Sequence, residues 1–362
     1  MKCCTECFID IEIKSIISSY KIEGNCDFCD AKNVSILDLD NNSNELNTLV
    51  SYFYSLLDIY TKANQLPISY PKEKISLLKT ILYNDWNIFN CKEDIIYRLL
   101  VKICNKRYLE EPELFDQPVG ISQLYNNKYL SDHSIIQIYS WEEFKNKIKN
   151  ENRFHHNIFN IEKFHTVLTC LIGYYQKDTA FYRARISPTS NGFPLKEMSA
   201  PPKEFTTAGR ANSEGIRVLY LSNSEETALR EVRAITHDYV SIGKFKLKND
   251  ITIIDFSKID KISPFASIDA EFLAINLNHL KHIRSEISKP LRRHDSPLEY
   301  LPTQYLCDYI KNIGYDGIKY PSTVNPTGYN LAIFNPEKFQ CEEKNVYEIK
   351  SLIYNHSMVS KK

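Results

Sequence analysis

The stretch Phe181-Tyr-Arg-Ala-Arg-Ile186 decides the fold of the second half of the chain, because it has the composition of a buried β-strand and yet carries two arginines. Five more short segments rich in β-branched and aromatic residues follow it, separated by turns and a few helices, at residues 216–222, 240–247, 251–256, 317–322 and 329–335. The sequence therefore predicts an α+β domain over residues 177–345, followed by a C-terminal tail over residues 346–362.

The two arginines of this stretch, Arg183 and Arg185, are two residues apart, so in a strand they share one face. Two cations on one face favour an anionic ligand. The 45 basic and 45 acidic residues of the chain cancel, so no overall field would attract nucleic acid or an anionic membrane. An anion site must therefore be local, and we expect neither nucleic acid nor membrane as a partner.

The stretch before this domain has the rhythm of helices. Between residues 46 and 171, apolar residues recur at helical spacing, with Leu49, Phe53 and Leu56 in one run and Ile96, Leu99 and their neighbours in another. Residues 41–176 therefore predict an all-α domain. Its boundary near residues 176–178 is inferred from the change in pattern alone.

Half of the ten cysteines lie in the first 29 residues. Cys4 and Cys7 form one C-x-x-C pair, Cys26 and Cys29 form a second, and 18 residues separate the pairs, which is the spacing of a four-thiolate zinc ribbon. Residues 1–40 therefore predict a zinc-ribbon-like segment with a closed, structural metal site. The alternatives are that Cys3 replaces Cys4 as a ligand, or that the thiols are reduced and hold no metal.

The remaining cysteines are scattered singly in apolar contexts, as expected of thiols in a protein core: Cys91, Cys104, Cys170, Cys307 and Cys341. No apolar run approaches the roughly 20 residues that span a bilayer, and the first residues do not resemble a signal peptide. We expect a cytoplasmic protein.

Polar residues of the second half could form an anion site. Arg210 and Asn212 lie between Gly209 and Gly215, in a flexible stretch where backbone amides and a guanidinium could hold a phosphate. The alternative is an ordinary surface loop that contains an arginine.

A helix is predicted after residue 222, with Ser222 and Glu225 in capping-box spacing and with Ala228 and Ile235 on its apolar face. Glu231 lies at the edge of that face, where burial and a nearby cation would set its ionisation. The alternative role for Glu231 is a salt bridge to one of the strand arginines.

Ser322 follows a predicted strand in the loop Pro321-Ser322-Thr323, and Asn330 enters the next strand. No G-x-S-x-G turn surrounds Ser322, which argues against a hydrolase nucleophile. Its hydroxyl could donate a hydrogen bond to a ligand or close a turn.

The motifs of the second half follow one another in a fixed order: a Tyr-Arg strand, a Gly-Arg-x-Asn loop, a Val-Leu-Tyr strand, an Ala-Leu-x-Glu helix, Pro-Ser and Asn-Pro. This series resembles the RES family across about residues 180–340. The resemblance assigns the family's arginine, glutamate and serine to Arg183, Glu231 and Ser322. It also matches Tyr220 to a tyrosine of the family and, as weaker matches, implies substrate contacts for Arg185, Arg210, Asn212 and Asn330. Ala211 departs from the family pattern, which often has an aromatic residue there, so this chain has no ring at that position to stack on the substrate.

The resemblance implies an ADP-ribosyltransferase-like fold, with a split β-sheet core and flanking helices, and the activity of toxins that destroy NAD. NAD would be the substrate, and zinc a structural ion only. A fixed carboxylate can stabilise the positive ribose that forms when the nicotinamide bond breaks, while arginines hold the pyrophosphate and Ser322 orients the nicotinamide or its ribose. Hydrolysis and phosphorolysis both remain open. The alternatives are an ADP-ribosyltransferase that modifies a protein or nucleic acid, and a non-catalytic zinc-ribbon binding protein.

By length and position, the helical half resembles the HEPN-like domain often fused to longer RES proteins. HEPN ribonucleases use an arginine and a histidine four to six residues apart, and residues 41–176 contain no such pair. We expect a non-catalytic sensor or dimerisation element, so a homo-oligomer is among the expected partners. A cognate antitoxin or another regulatory protein is another, because such an activity must be restrained in its own cell.

Overall fold

The structure, a computed structural model, describes residues 1–266, 268–290, 294–353, 356 and 358. These residues form two compact units. Unit 1 comprises Met1–Ser140, Asn157–Cys170 and Asp260–Leu280, and unit 2 comprises Trp141–His156, Leu171–Ile259 and the described part of Lys281–Lys362. The domain limits predicted from the sequence, 1–40, 41–176 and 177–345, stay predictions.

Both units contain helices and strands. The helices are α1 (Ile11–Ser19), α2 (Asn44–Leu57), α3 (Leu78–Asn84), α4 (Glu93–Ile103), α5 (Asn105–Glu110), α6 (Pro112–Asp116), α7 (Asn127–His133), α8 (Trp141–Asn146), α9 (Ile161–Cys170), α10 (Glu225–Glu231), α11 (Ala270–Ser288) and α12 (Leu301–Asn312). The strands are β1 (Lys2–Cys4), β2 (Ile22–Gly24), β3 (Val34–Asp38), β4 (Thr61–Lys62), β5 (Ser76–Leu77), β6 (Pro118–Gly120), β7 (Ile172–Tyr175), β8 (Ala180–Ser187), β9 (Leu219–Ser222), β10 (Tyr239–Leu247), β11 (Ile251–Asp255), β12 (Gly317–Pro321), β13 (Tyr329–Ile333) and β14 (Phe339–Glu348). The chain is thus of mixed α+β class, as the sequence predicts.

Unit 1 contains two small antiparallel sheets besides its helices. The first has the strand order β1-β3-β2, and the second has the order β4-β6-β5. The all-α prediction for residues 41–176 is wrong in this respect, because β4, β5 and β6 lie in that range, and so does β7, which joins the large sheet of unit 2. Strands of two to four residues are too short to show the two-residue alternation that identifies a strand in a sequence.

Unit 2 is built on an eight-stranded sheet of order β14-β10-β8-β9-β13-β12-β11-β7. The segments predicted as strands form β8 to β13. A long antiparallel ladder joins β8 to β10, whereas β8 and β9 pair only at Tyr182 and Ser222. The sheet therefore consists of two parts that meet at one residue pair.

Each face of this sheet has its own apolar cluster. Phe181 of β8 packs with Leu219 and Phe245 on one side, whereas Ala184 of the same strand packs with Ala228 of α10 in the other cluster. Helix α10 contacts β8, β9 and β10. It therefore covers the region where the two parts of the sheet meet, and it carries Glu231 to that place.

The start of α10 differs from the predicted capping box. Ser222 ends β9, where it pairs with Asn330, and the N-cap is Ser224, whose hydroxyl accepts a hydrogen bond from the amide of Thr227. The helix ends at Glu231, so Ile235 lies beyond it and is exposed. Two serines precede the helix, and the pairing of Ser222 in the sheet leaves Ser224 as the cap.

The predicted tail, residues 346–362, begins within a strand, because β14 extends to Glu348. Residues 354–355, 357 and 359–362 lie outside the described residues. Within the described ranges, no helix combines the length and the apolar character that a membrane span requires.

Candidate functional site

A cavity of about 260 Å³ lies where β8, β9 and α10 meet. Its lining combines cationic, acidic, amide and aromatic side chains: Tyr182, Arg183, Ala184, Arg210, Tyr220, Leu221, Ser222, Ala228, Glu231, Val232, Tyr320 and Asn330. Of the eight predicted catalytic and substrate-binding residues, the structure brings Arg183, Arg210, Tyr220, Glu231 and Asn330 to this cavity. Ser322 does not line the cavity, but its hydroxyl is hydrogen-bonded to Glu231.

Arg183 is a half-buried cation in the wall of this cavity. Its Nη1 is inaccessible to solvent and has no hydrogen-bond partner among the described residues. Burial and, to a smaller extent, the neighbouring charge of Arg185 lower the pKa of Arg183 to about 10, so the guanidinium stays charged at neutral pH. Because a buried donor that lacks a partner is costly, this side chain is suited to an anionic ligand that enters the cavity.

Glu231 is the last residue of α10, and its carboxylate is held in place by two donors. The hydroxyl of Ser322 and the Nδ2 of Asn330 both donate to Oε1 of Glu231, each at 2.7 Å. Among the described residues, Oε2 accepts no hydrogen bond. One oxygen is therefore fixed by the protein, and the other is available to a ligand.

The donors to Glu231 are themselves fixed. Ser322 Oγ accepts hydrogen bonds from the amides of Val324 and Asn325, at 3.3 and 3.2 Å. Ser222 Oγ donates to Oδ1 of Asn330 at 2.7 Å. Glu231 is thus held by the loop after β12 on one side and by β9 and β13 on the other.

Arg210 is bound to the C-terminus of α11. Its Nη1 donates to the carbonyls of Ile287 and Ser288 at 2.8 and 2.9 Å, and its guanidinium lies over the ring of Tyr320 at 4.8 Å from the centroid. Cations are favourable at the C-terminal end of a helix, where carbonyls lack partners. Arg210 therefore has a structural role as well as a place in the cavity wall.

Tyr220 and Asn212 bind each other. The Tyr220 hydroxyl donates to Oδ1 of Asn212 at 2.7 Å and accepts from the amide of Ala211 at 3.1 Å. Nδ2 of Asn212 donates to the carbonyls of Thr207 and Ser213, both at 3.0 Å. Burial raises the pKa of Tyr220. Asn212 thus orders its own loop and does not line the cavity, whereas Tyr220 lines it but has a hydroxyl already bound.

Arg185 points to a different environment from Arg183. Its Nη1 donates to the carbonyl of Glu197, and its guanidinium lies 3.9 Å from the ring centroid of Phe193. Burial lowers the pKa of Arg185. The structure does not place Arg185 in the cavity, so the two arginines of the opening stretch do not share one environment.

Three polar residues of the cavity wall are not among the site residues predicted from the sequence: Tyr182, Ser222 and Tyr320. Tyr182 is adjacent to Arg183 and Tyr320 lies two residues before Ser322, so closeness in the chain to a predicted site residue is the signal that could identify them. Ser222 was interpreted only as a helix cap.

A larger cavity, of about 450 Å³, lies in unit 1. Its charged lining residues are Asp58, Asp269 and Glu271, and the lining that the structure describes contains no cation. It is therefore unsuited to an anionic ligand, and the smaller cavity of unit 2 is the better candidate.

The four predicted zinc ligands form a compact cluster in unit 1. The sulfurs of Cys4, Cys7, Cys26 and Cys29 all lie within 4.8 Å of one another, with 3.4 Å between Cys4 and Cys29 and 3.5 Å between Cys7 and Cys26. Tetrahedral zinc with Zn–S bonds of about 2.3 Å requires sulfurs roughly 3.8 Å apart. The cluster therefore fits a zinc ion, and it includes Cys4 but not Cys3.

Replacing one cluster thiol tests this fit. We expect Cys26→Ser to lose the bound metal and to destabilise unit 1, because a structural zinc ion contributes its binding energy to folding. Cys3→Ser is the matched control, since Cys3 is buried beside the cluster but is not a member of it. Elemental analysis should find about one zinc per chain in the parent protein and in Cys3→Ser. Equal metal content in Cys26→Ser would contradict the assignment.

Comparison with known proteins gives a family match for the part of the chain that contains the cavity. A family model described as "RES domain" matches residues 180–352. This chain is similar to a chain in the crystal structure of the M. tuberculosis MbcT-MbcA toxin-antitoxin complex. The two are 11% identical with a TM-score of 0.29, and the match covers 49% of this chain and 87% of that chain. No curated protein matches the sequence. All residues lining the 260 Å³ cavity fall within the range of the RES model.

Proposed function

We propose that residues 180–352, which match the RES model, cleave the nicotinamide N-glycosidic bond of NAD. The chain would then act as a toxin or defence effector. One observation carries the proposal. Arg183 and Glu231 line the same cavity. Nη1 of Arg183 has no hydrogen-bond partner among the described residues, and the carboxylate of Glu231 is held by two donors. A dinucleotide that contains a pyrophosphate and a cationic nicotinamide ribose has complementary groups for both.

The two charges would act at different parts of NAD. Arg183 would bind the pyrophosphate, since a guanidinium binds phosphate oxygens through charge-assisted hydrogen bonds. Glu231 would stabilise the positive charge that develops on the ribose, or bind its hydroxyls. A volume of about 260 Å³ is below the roughly 300–1,000 Å³ usual for complete ligands, so the cavity suits one end of the dinucleotide.

The reaction needs no metal or redox step. The bond between C1′ of the ribose and the pyridinium nitrogen breaks, its electron pair stays on the nitrogen, and neutral nicotinamide leaves. Water or phosphate then forms the new bond at C1′, and the attacking group releases a proton to solvent or to Glu231. Because the leaving group departs from a cationic state, positioning and electrostatics can supply most of the rate enhancement.

The ADP-ribosyltransferase-like split sheet is part of the same proposal. It is supported by the single residue pair that joins β8 to β9, beside which the cavity lies. A four-thiolate zinc ion at Cys4, Cys7, Cys26 and Cys29 is proposed as a structural element of unit 1. An antitoxin or other regulatory protein is proposed as a partner, because an enzyme that destroys NAD has to be restrained.

The products formed from NAD test the reaction. With NAD labelled in its adenine ring, we expect the label in ADP-ribose if water is the acceptor, and in ADP-ribose phosphate if phosphate is. Label on a protein or nucleic acid would instead identify a transferase, which would use the same cavity. Recovery of all the label as intact NAD, in buffers with and without phosphate, would overturn the proposal.

A further inference from the structure

We infer that Ser222 is a positioning residue for the Glu231 carboxylate and that it acts through the side-chain amide of Asn330. The inference rests on the proposed cleavage of NAD. Ser222 Oγ donates to Asn330 Oδ1 at 2.7 Å, and Asn330 Nδ2 donates to Glu231 Oε1 at 2.7 Å. Ser222 and Asn330 are 4% and 5% exposed. These three side chains form one continuous path of hydrogen bonds, and the first two of them are buried.

The place of Ser222 in the sheet gives this path a rigid origin. Ser222 pairs with Tyr182 of β8 on one side and with Asn330 of β13 on the other. It is therefore the residue at which the two parts of the sheet meet. A hydroxyl held at this point fixes the position of the Asn330 amide relative to both parts.

The amide of Asn330 needs this partner in order to hold Glu231. Its Oδ1 is buried, and a buried acceptor that loses its donor has to find another or remain unsatisfied. If the amide turns to relieve this, Nδ2 moves away from Glu231 Oε1, and the carboxylate keeps only the hydrogen bond from Ser322. A hydrogen bond to one end of an amide also polarises the other end, which strengthens the donation to Glu231.

The kinetic test separates this role from ordinary interstrand bonding. In Ser222→Ala we expect kcat for nicotinamide release to fall about tenfold, with KM for NAD within about twofold of the parent value. Ser222→Thr keeps the hydroxyl and should recover most of kcat. A Ser222→Ala variant with unchanged kcat, or with an effect on KM alone, would overturn the inference.

A double variant tests whether Ser222 acts through Asn330. In an Asn330→Ala background, the further change Ser222→Ala should leave kcat unchanged, because the amide on which the hydroxyl acts is already gone. A further tenfold loss in the double variant would show that Ser222 acts directly, and would contradict the positioning role.

A spectroscopic readout is independent of NAD turnover. In protein labelled with ¹⁵N-asparagine, the side-chain signal that is absent from Asn330→Ala identifies the Asn330 amide. We expect this signal to shift in Ser222→Ala and to return in Ser222→Thr. An unchanged signal in Ser222→Ala would overturn the inference even if the parent protein cleaves NAD. Absence of nicotinamide release from the parent protein would overturn only the proposed function.

Discussion

Glu231→Gln is expected to lower the rate of nicotinamide release by about 10³-fold while leaving the fold intact. Glutamine has the shape of glutamate, and its Oε1 can still accept the hydrogen bonds that Ser322 and Asn330 donate. The variant therefore removes the negative charge without removing the local contacts. Nicotinamide release at saturating NAD, together with a thermal unfolding curve, measures both effects.

Glu226→Gln is the matched control for this variant. Glu226 lies on the same helix, is exposed, and pairs with Arg230 at the surface, where an ion pair contributes little to stability. We expect its activity to equal that of the parent protein. Activity in Glu231→Gln as high as in Glu226→Gln would remove Glu231 from the mechanism.

Arg183→Met is expected to have opposite effects on substrate binding and on stability. The loss of charge-assisted hydrogen bonds to the pyrophosphate should raise KM for NAD roughly 100-fold. The same change removes a buried nitrogen that has no partner among the described residues, so the free energy of unfolding should rise by about 1–3 kcal/mol. Steady-state kinetics and thermal unfolding without NAD check the two halves of this prediction.

Arg185→Met provides the matched comparison, because it makes the same change two residues away on the same strand. Arg185 donates to the carbonyl of Glu197 and packs on Phe193, so its loss should decrease the free energy of unfolding by about 1 kcal/mol. KM for NAD should stay within about threefold of the parent value. If Arg185→Met raised KM as much as Arg183→Met, the assignment of separate roles to the two arginines would be wrong.

The sequence alone predicts six of the eight strands of the large sheet and the helix that carries Glu231. The strands β8 to β13 were predicted because each is a short β-rich segment bounded by turns. Glu231 was placed at the edge of the apolar face of a helix, and the structure places it at the end of α10 beside the cavity. Local pattern was sufficient for these features, because each depends on residues close together in the chain.

The hydrogen bonds between distant residues could not be predicted in this way. Strand alternation put Arg183 and Arg185 on one face, but it does not reveal that Arg185 is bound to Glu197 and Phe193. The bond between Asn212 and Tyr220 is another example, since it depends on how a loop folds over β9. Such contacts follow from tertiary packing rather than from spacing, and they decide which charges remain free for a ligand.

Nicotinamide release from NAD by the purified 362-residue chain is the most direct test of the proposed cleavage. It is measured by chromatography in buffers with and without phosphate, with Glu231→Gln as the blank. We expect the parent protein to release many molecules of nicotinamide per chain in at least one buffer and the blank to release almost none. No release by the parent protein in either buffer, or equal release by both proteins, would contradict the claim that Arg183 and Glu231 form an NAD-cleaving site.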